Sequence, residues 1–211
     1  MSKLHFEIFD PQQFEIFHRL PDVVERGYLV GGTALALQIG HRRSYDFDIA
    51  LPDEVSPTLL KTLNTGYSDF RLRTAVDSKA ELTLILHEAT KLTFFAFPFP
   101  PLHPPVSIGT IPLYSLADLA SNKAYVLGRM GEWKDYVDLY FLLEHVGLKL
   151  KTILSETSRR FAGNFDEKLF WEQLVYWKDL RDFEIEYLGK SVSKDKLQEY
   201  FRKLVQRRFR R

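Results

Sequence analysis

The chain has 211 residues, no cysteine, and 29 basic against 28 acidic residues, so it is neither disulfide-stapled nor a uniformly basic nucleic-acid binder. This length suits one mid-sized domain or a compact pair, and the missing cysteines exclude cysteine nucleophiles and thiolate zinc sites and fit a reducing cytosol. No apolar run approaches the roughly 18–20 residues that cross a bilayer, and the first ten residues lack a secretory signal, so we expect a cytoplasmic protein without a membrane partner.

The first half of the chain alternates helical and strand patterns. A helix is expected after Asp10-Pro11 and ends at Gly27, and a short buried strand follows at 28–30. A small apolar helix then closes at Gly40, and residues 46–51 alternate like a strand. Further on, a helix is expected at 58–65 and strands at 70–76, 81–87 and 91–97.

Six prolines in residues 97–112 mark a connector, after which the pattern is helical to the end of the chain. Helices are expected at about 116–130, 133–146, 148–161, 166–178 and 193–208. We therefore expect an α/β core with a mixed sheet at 1–112 and a helical region at 113–211, which makes the fold α+β.

Asp46 and Asp48 form the most informative pair of side chains. Residues i and i+2 of a strand share a face about 7 Å apart, so the two carboxylates lie side by side while Phe47 and Ile49 turn into the core. Two such carboxylates suit a hard cation such as Mg²⁺. A strand with a solvated acidic face is the alternative for an isolated pair of this kind.

The context of this pair favours a nucleotide site. Gly31-Gly32 follows a strand and precedes a helix, where backbone N–H groups can approach phosphate, and Thr33 can cap that helix or donate to a phosphate oxygen. A glycine turn that holds phosphates, followed by carboxylates that hold the bridging metal, is the layout of a metal–triphosphate site.

The stretch GGTALAL, GHR, S and DFD between residues 31 and 48 resembles motif I of the DNA polymerase β-like nucleotidyltransferases, and more narrowly the AbiEii/AbiGii-type family. The resemblance implies that Gly31, Gly32 and Thr33 contact the phosphates of an NTP and that Asp46 and Asp48 bind Mg²⁺ or Mn²⁺. The loop before the acidic strand matches at Arg42 and Ser44. Arg42 is the expected phosphate contact there, with a solvated loop arginine as the alternative.

A second group of charged residues lies in the helical half. Asp118 is expected to favour the start of its helix, and Lys123 lies beside an apolar stripe, where it either snorkels or reaches toward a triphosphate. The resemblance covers this region through an aspartate and lysine separated by four residues and an arginine and aspartate separated by eight. It implies that Lys123 binds phosphate, that Asp138 orients it, and that Asp118, Arg129 and Asp135 support them; a solvated helix face is the alternative for Asp135 and Asp138.

One position departs from the superfamily pattern. Polymerase β-like enzymes usually carry a third carboxylate on a neighbouring strand, and the matching segment here places Thr93 at that position. Threonine is a poor metal ligand and no base at neutral pH. Four explanations stay open. A single metal ion suffices, Glu88 supplies the acid, Asp138 supplies it, or the acceptor hydroxyl is activated by its own partner.

The C-terminal residues 201–211 hold six basic residues and no acidic one, so the other 200 residues carry 23 basic and 28 acidic groups. Arginines alternate there with Phe201 and Phe209, a composition that suits RNA phosphates and bases. The alternative is a basic final helix docked on the rest of the chain or on a partner.

The resemblance implies a function as well as a fold. It indicates a Mg²⁺-dependent transfer of a nucleoside monophosphate from an NTP to an acceptor hydroxyl, by the toxin of a bacterial type IV toxin–antitoxin or abortive-infection pair. The expected acceptor is an RNA such as a tRNA end, or else a protein side chain, and a cognate antitoxin is an expected partner. Two rivals are a catalytically degenerate module that binds nucleotide, RNA or a protein, and an enzyme that nucleotidylates small molecules.

Overall fold

The computed structural model describes residues 4–24, 26–107, 111–129, 131–181 and 183–209. The chain divides into two compact units, Met1–Ser115 (unit 1) and Leu116–Arg211 (unit 2). None of the helices in the described ranges combines the length and the apolar character that a membrane span requires.

Unit 1 is an α/β structure. A short 3₁₀ turn at Phe6–Ile8 precedes helix α1, which begins with a capping box in which the Asp10 side chain accepts from the Gln13 backbone N–H at 2.8 Å. Its other elements, in chain order, are β1 (Tyr28–Val30), α2 (Gly31–Ile39), β2 (Phe47–Leu51), α3 (Leu59–Gly66), β3 (Leu72–Asp77), β4 (Glu81–Leu86) and β5 (Thr90–Ala96), with α1 itself at Pro11–Val23.

The five strands form one sheet in the order β1-β2-β5-β4-β3. β2 and β5 run parallel, and the other neighbouring pairs are antiparallel, so the sheet is mixed. The expected fold class, a mixed sheet followed by a helical half, is confirmed.

The two faces of the sheet differ because polar and apolar residues alternate along the strands. Phe47 and Ile49 are fully buried, and the Phe47 ring lies 5.4 Å from that of Phe9 and 6.5 Å from that of Phe17 in α1. Helix α1 therefore covers this face and forms the core of unit 1. Asp48 on β2 and Thr93 on β5, which pair in register, point to the opposite face.

Unit 2 is built from helices. They are α4 (Leu116–Leu127), α5 (Trp133–Glu144), α6 (Leu150–Phe161), α7 (Glu167–Gln173) and α8 (Lys194–Phe209). Helix α7 ends five residues before the expected position, and turns follow it at residues 174–175 and 178–179.

The basic C-terminal segment is part of the packed structure of unit 2. Residues 201–209 continue helix α8, and Phe201 is fully buried with its ring 5.6 Å from that of Tyr136 in α5. The Tyr200 ring contacts Tyr140 at 5.0 Å. Of the two alternatives for this segment, the docked helix describes its structure, and its basic side chains lie on the outer face. Arg210 and Arg211 lie outside the described residues.

Candidate functional site

The Asp48 carboxylate lies directly against the glycine turn that joins β1 to α2. Gly31 has φ +69°, and a Cβ built on it would overlap Oδ2 of Asp48. The register agrees, since Val30 pairs with Asp48 across β1 and β2. Glycine is therefore required at position 31 for two reasons, the left-handed backbone and the close approach of the carboxylate.

Arg42 and Ser44 lie against the second glycine. A Cβ on Gly32 would come within 2.6 Å of Nη2 of Arg42 and 3.2 Å of the Ser44 hydroxyl. Arg42 is buried, and its Nη1 donates to the Arg43 carbonyl at 2.8 Å, which fixes the guanidinium. A guanidinium and a hydroxyl thus flank the first turn of α2, where the free backbone N–H groups already favour anions.

Thr33 has a different environment from the one expected for a phosphate ligand. It is buried, and its hydroxyl donates to the Asp46 carbonyl and lies 2.8 Å from the Ser44 hydroxyl. These bonds join the first turn of α2 to the loop that leads into β2. Thr33 therefore sets the position of the acidic segment relative to the glycines.

Asp46 and Asp48 are the acidic groups at this edge of unit 1. Both are half-buried, and Oδ1 of Asp46 accepts from the Lys91 backbone N–H at 3.2 Å. Glu88, a candidate for the third acid, is exposed in the β4–β5 turn and pairs with Arg71 at 2.8 Å. Within the described ranges, no group of three or more His, Asp or Glu side chains is arranged to hold a metal ion.

Unit 2 brings together three of the residues expected to act with the nucleotide. The Lys123 ammonium on α4 lies 2.7 Å from Oδ1 of Asp135 and 2.6 Å from Oδ2 of Asp138, both on α5. All three side chains are buried. Asp135 also caps its own helix, because its Oδ2 accepts from the Glu132 backbone N–H at 2.9 Å. The solvated-face alternative for Asp135 and Asp138 is wrong.

Asp118 forms a buried ion pair that was not predicted from the sequence. Oδ1 of Asp118 lies 3.5 Å from Nη1 of Arg160 on α6, and both side chains are completely shielded from solvent. The same nitrogen donates to the Asp118 carbonyl and to the Ser121 hydroxyl, each at 3.1 Å. A signal was present: Ile153, Thr157 and Arg160 follow helical spacing on the buried face of α6.

Arg129 lies on the surface of unit 2. It packs over the Tyr125 ring at 4.4 Å, and its Nη2 donates to the Asn164 carbonyl at 2.6 Å. These contacts anchor the loop after α6 to the end of α4. Of the expected supporting residues, Asp135 contacts the lysine directly, whereas Asp118 and Arg129 have other partners.

Comparison with known proteins gives the family and the fold. The family model for the nucleotidyl transferase AbiEii toxin of type IV toxin–antitoxin systems matches residues 20–210. A protein of Aquifex aeolicus strain VF5, aq_aa25, is 30% identical over 158 residues, which cover 74% of this chain and 75% of that protein.

Solved structures share the fold at low sequence identity. MenT4, a nucleotidyltransferase toxin of Mycobacterium tuberculosis, has a TM-score of 0.61 at 16% identity and covers 91% of this chain and 80% of its own. JHP933 of Helicobacter pylori has a TM-score of 0.53 at 15% identity, with 97% and 96% covered. The antibiotic-resistance factor ANT(2'')-Ia has a TM-score of 0.53 at 11% identity, with 72% and 92% covered.

Proposed function

Because the chain belongs to the AbiEii family of nucleotidyltransferase toxins, we propose that it moves a nucleoside monophosphate from an NTP to an acceptor hydroxyl in a Mg²⁺-dependent reaction. The observation that carries this proposal is the pair of contacts at the glycine turn, Asp48 against Gly31 and Arg42 against Gly32. Through these contacts a carboxylate, which suits a metal ion, and a guanidinium, which suits phosphate, lie beside the first turn of one helix.

The residues of unit 1 fit a magnesium or manganese ion. Asp48 on β2 and Asp46, which directly precedes this strand, offer carboxylate oxygens, and such hard ligands are the ones that Mg²⁺ prefers. The missing side chain at Gly31 leaves the Asp48 carboxylate beside open backbone. The bound ion would neutralise phosphate charge and act as a Lewis acid at the reacting phosphorus.

The other residues bind and orient the nucleotide. The triphosphate is held by the backbone N–H groups of Gly31 and Gly32 and by the Arg42 guanidinium. Ser44 supports this site because its hydroxyl is hydrogen-bonded to that of Thr33 in the first turn of α2. Lys123 binds a nucleotide phosphate, and Asp135 and Asp138 hold its ammonium in place and order that lysine.

Helix α8 supports an RNA acceptor, for which a tRNA end is the favoured form and a protein side chain the alternative. Its outer face exposes Arg207 and Arg208 beside Phe209, which is 67% exposed. These arginines line a groove of about 770 Å³ that also contains Lys151, the buried Trp171, and Glu167, which lies 3.9 Å from Arg208. The basic groups of this groove suit the phosphates of a single strand, and the exposed Phe209 ring suits its bases.

The experiment is a label-transfer assay. The purified chain is incubated with Mg²⁺, total RNA and each NTP labelled at the α-phosphate. We expect label on RNA, and we expect Asp46→Asn and Asp48→Asn to lower the rate by at least 10³-fold. Glu54→Gln, which neutralises an exposed carboxylate of the same unit, is the matched control and should keep the wild-type rate. Equal rates in all four proteins would contradict the proposal.

A second candidate function has one specific observation in its favour. Thr93, a residue that is no base, stands in register with Asp48 on β5. A degenerate module that binds nucleotide without transferring it would bind NTP in a calorimeter and label neither RNA nor protein with any NTP. That pair of results would replace the enzyme by the module.

The family also indicates the partner. AbiEii proteins are the toxins of type IV toxin–antitoxin systems, so we propose a cognate antitoxin for this chain. Expression of the chain alone should arrest growth, and co-expression of the antitoxin should restore it. Arrest that persists in the Asp46→Asn protein would separate the toxicity from the proposed chemistry.

A further inference from the structure

The polar face of the sheet carries a line of hydroxyl groups beside the acidic pair. Asp48 on β2 pairs in register with Thr93 on β5, and Thr93 pairs with Thr83 on β4. Residues in register on neighbouring strands point the same way and lie about 4.8 Å apart. The line therefore leads from the metal-binding edge of unit 1 across two further strands.

Glu81 ends this line. It lies two residues before Thr83 on the same strand and so shares its face. The Thr83 hydroxyl donates to Oε1 of Glu81 at 2.7 Å, and the hydroxyl oxygens of Thr83 and Thr93 are 3.3 Å apart. Because a hydroxyl has one hydrogen and Thr83 gives its own to Glu81, the hydrogen between the two threonines comes from Thr93.

The surroundings of Thr83 shelter this connection. Thr83 is only 5% exposed, although it lies on the polar face. Opposite it, strand β3 departs from regular pairing, because Thr74 pairs with Leu84 and Val76 pairs with Thr83, which leaves an extra residue between them. Such bulges re-aim side chains and are frequent beside active sites.

We propose that Glu81 accepts, through the two threonines, the proton that polymerase β-like enzymes usually transfer to a third carboxylate, whose place in the superfamily pattern is occupied here by Thr93. The inference rests on the proposed function. As the acceptor oxygen bonds to the α-phosphorus, its proton passes to the Thr93 hydroxyl, the Thr93 proton passes to Thr83, and the Thr83 proton passes to the Glu81 carboxylate. The bond between the α-phosphorus and the bridging oxygen breaks, and pyrophosphate leaves with that electron pair.

The other acidic groups considered for this task have different partners. Glu88 pairs with Arg71, and Asp138 is held by Lys123. Asp46 accepts a backbone N–H from Lys91. Glu81, by contrast, is joined to the position of the missing acid by two hydrogen bonds, and it acts as a positioning and relay residue because it reaches the acceptor only through Thr93.

The first test separates turnover from binding. Loss of a positioned acid–base group typically costs about 10²–10⁴-fold in rate. We expect Glu81→Gln to lower kcat by at least about 30-fold and to leave the KM for NTP within twofold. Thr83→Val, which has the same shape and no hydroxyl, should match that loss, and Thr83→Ser should restore most of kcat. Glu54→Gln is the matched carboxylate control.

The second test introduces a carboxylate at position 93. In Thr93→Asp the carboxylate would receive the proton directly, so adding Glu81→Gln should lower kcat far less than it does beside Thr93. Circular dichroism and thermal melting establish that each variant is folded. Equal losses from Glu81→Gln in the two backgrounds would overturn the relay, because they would show that the two positions act independently.

The outcomes distinguish this inference from the proposed function. Label transfer that requires Asp46 and survives Glu81→Gln within twofold overturns the relay and leaves the nucleotidyltransferase in place. Full activity in folded Thr83→Val also overturns it. No label transfer by the wild-type chain overturns both, whereas a kcat loss in Glu81→Gln that Thr93→Asp relieves supports both.

Discussion

The buried pair of Asp118 and Arg160 allows a sharp prediction about stability. Arg160→Met keeps most of the side-chain volume and removes the charge, so the Asp118 carboxylate loses this cation in a place completely shielded from solvent. The change also removes the 3.1 Å hydrogen bonds to the Asp118 carbonyl and the Ser121 hydroxyl. Breaking a buried pair by removing one partner costs about 3–5 kcal/mol, a large part of a domain's usual stability of about 5–15 kcal/mol.

Urea denaturation measures this loss directly. All three tryptophans of the chain, at positions 133, 171 and 177, lie in unit 2, so their fluorescence reports on the unfolding of that unit. With a slope of about 2 kcal/mol per molar urea, the expected loss moves the midpoint down by about 2 M. Arg159→Met removes the neighbouring exposed charge and should change the free energy of unfolding by no more than about 0.5 kcal/mol.

A double variant tests the cause. If the loss arises because the buried Asp118 carboxylate no longer has Arg160 as its partner, adding Asp118→Asn to Arg160→Met should restore about 2 kcal/mol or more of the free energy of unfolding. A midpoint in Arg160→Met equal to that of Arg159→Met would refute the reasoning. A double variant less stable than Arg160→Met alone would show that Asp118 stabilises unit 2 through a different partner.

Three further predictions concern a glycine, the basic helix and a tyrosine. Gly31→Ala forces a side chain into a left-handed backbone and against Asp48, so we expect a loss of about 1–3 kcal/mol in the free energy of unfolding and a steep fall in label transfer. Arg207→Gln with Arg208→Gln should flatten the dependence of log RNA affinity on log salt by about 1.4, with NTP affinity unchanged. Burial raises the pKa of Tyr67 above the unfolded value near 10, so its contribution to stability is complete below pH 10 and declines above it by about 1.4 kcal/mol per pH unit. Tyr67→Phe should remove this slope from urea midpoints measured by circular dichroism, which is needed because unit 1 contains no tryptophan. Each prediction has a control at an exposed position. Gly189→Ala is the control for Gly31→Ala, Arg26→Gln with Lys61→Gln is the control for the two arginines of α8, and Tyr45→Phe is the control for Tyr67→Phe.

Local sequence patterns predicted the parts of the site that lie on single elements. The alternation around Asp46 and Asp48 and the turn at Gly31-Gly32 depend on neighbours within a few residues, and the structure has β2 and α2 where they were expected. Sequence spacing alone did not reveal that the Thr33 hydroxyl would bond to Asp46 and Ser44 instead of remaining open to a ligand. That outcome depends on how the loop at 41–45 returns to α2.

Partners that are distant in the sequence were the harder part. Arg160 lies 42 residues from Asp118, and one sequence contains no pattern that selects it over the adjacent Arg159 except the weak spacing of its buried neighbours. The basic C-terminal residues left two alternatives open for a similar reason. Their composition suits either an RNA-binding segment or a docked helix, and only the burial of Phe201 against Tyr136 shows that they belong to a packed helix. Charge neutralisation at Arg207 and Arg208 therefore tests that face without removing the packed helix.

Helix α4 shows how one sequence motif can combine two physical tasks. Asp118 pairs with α6, and Lys123, five residues later, pairs with two carboxylates on α5. These three buried ion pairs on one helix fix its rotation and its position along both neighbours, and the position of the Lys123 ammonium follows from them. A loss of activity in Lys123→Met alone is consequently no proof of a catalytic role, because that change also leaves Asp135 and Asp138 buried without their cation.

A triple variant separates the contribution of Lys123 to stability from its proposed role in binding nucleotide phosphate. Lys123→Met alone should destabilise unit 2 by about 3–5 kcal/mol, and adding Asp135→Asn and Asp138→Asn should restore much of that loss by removing the buried negative charges. If Lys123 binds nucleotide phosphate, the refolded triple variant should still show a raised KM for NTP and a kcat lowered by at least about 10²-fold. Recovery of label transfer together with stability would contradict that role, since it would mean that the lysine serves only to neutralise the two carboxylates.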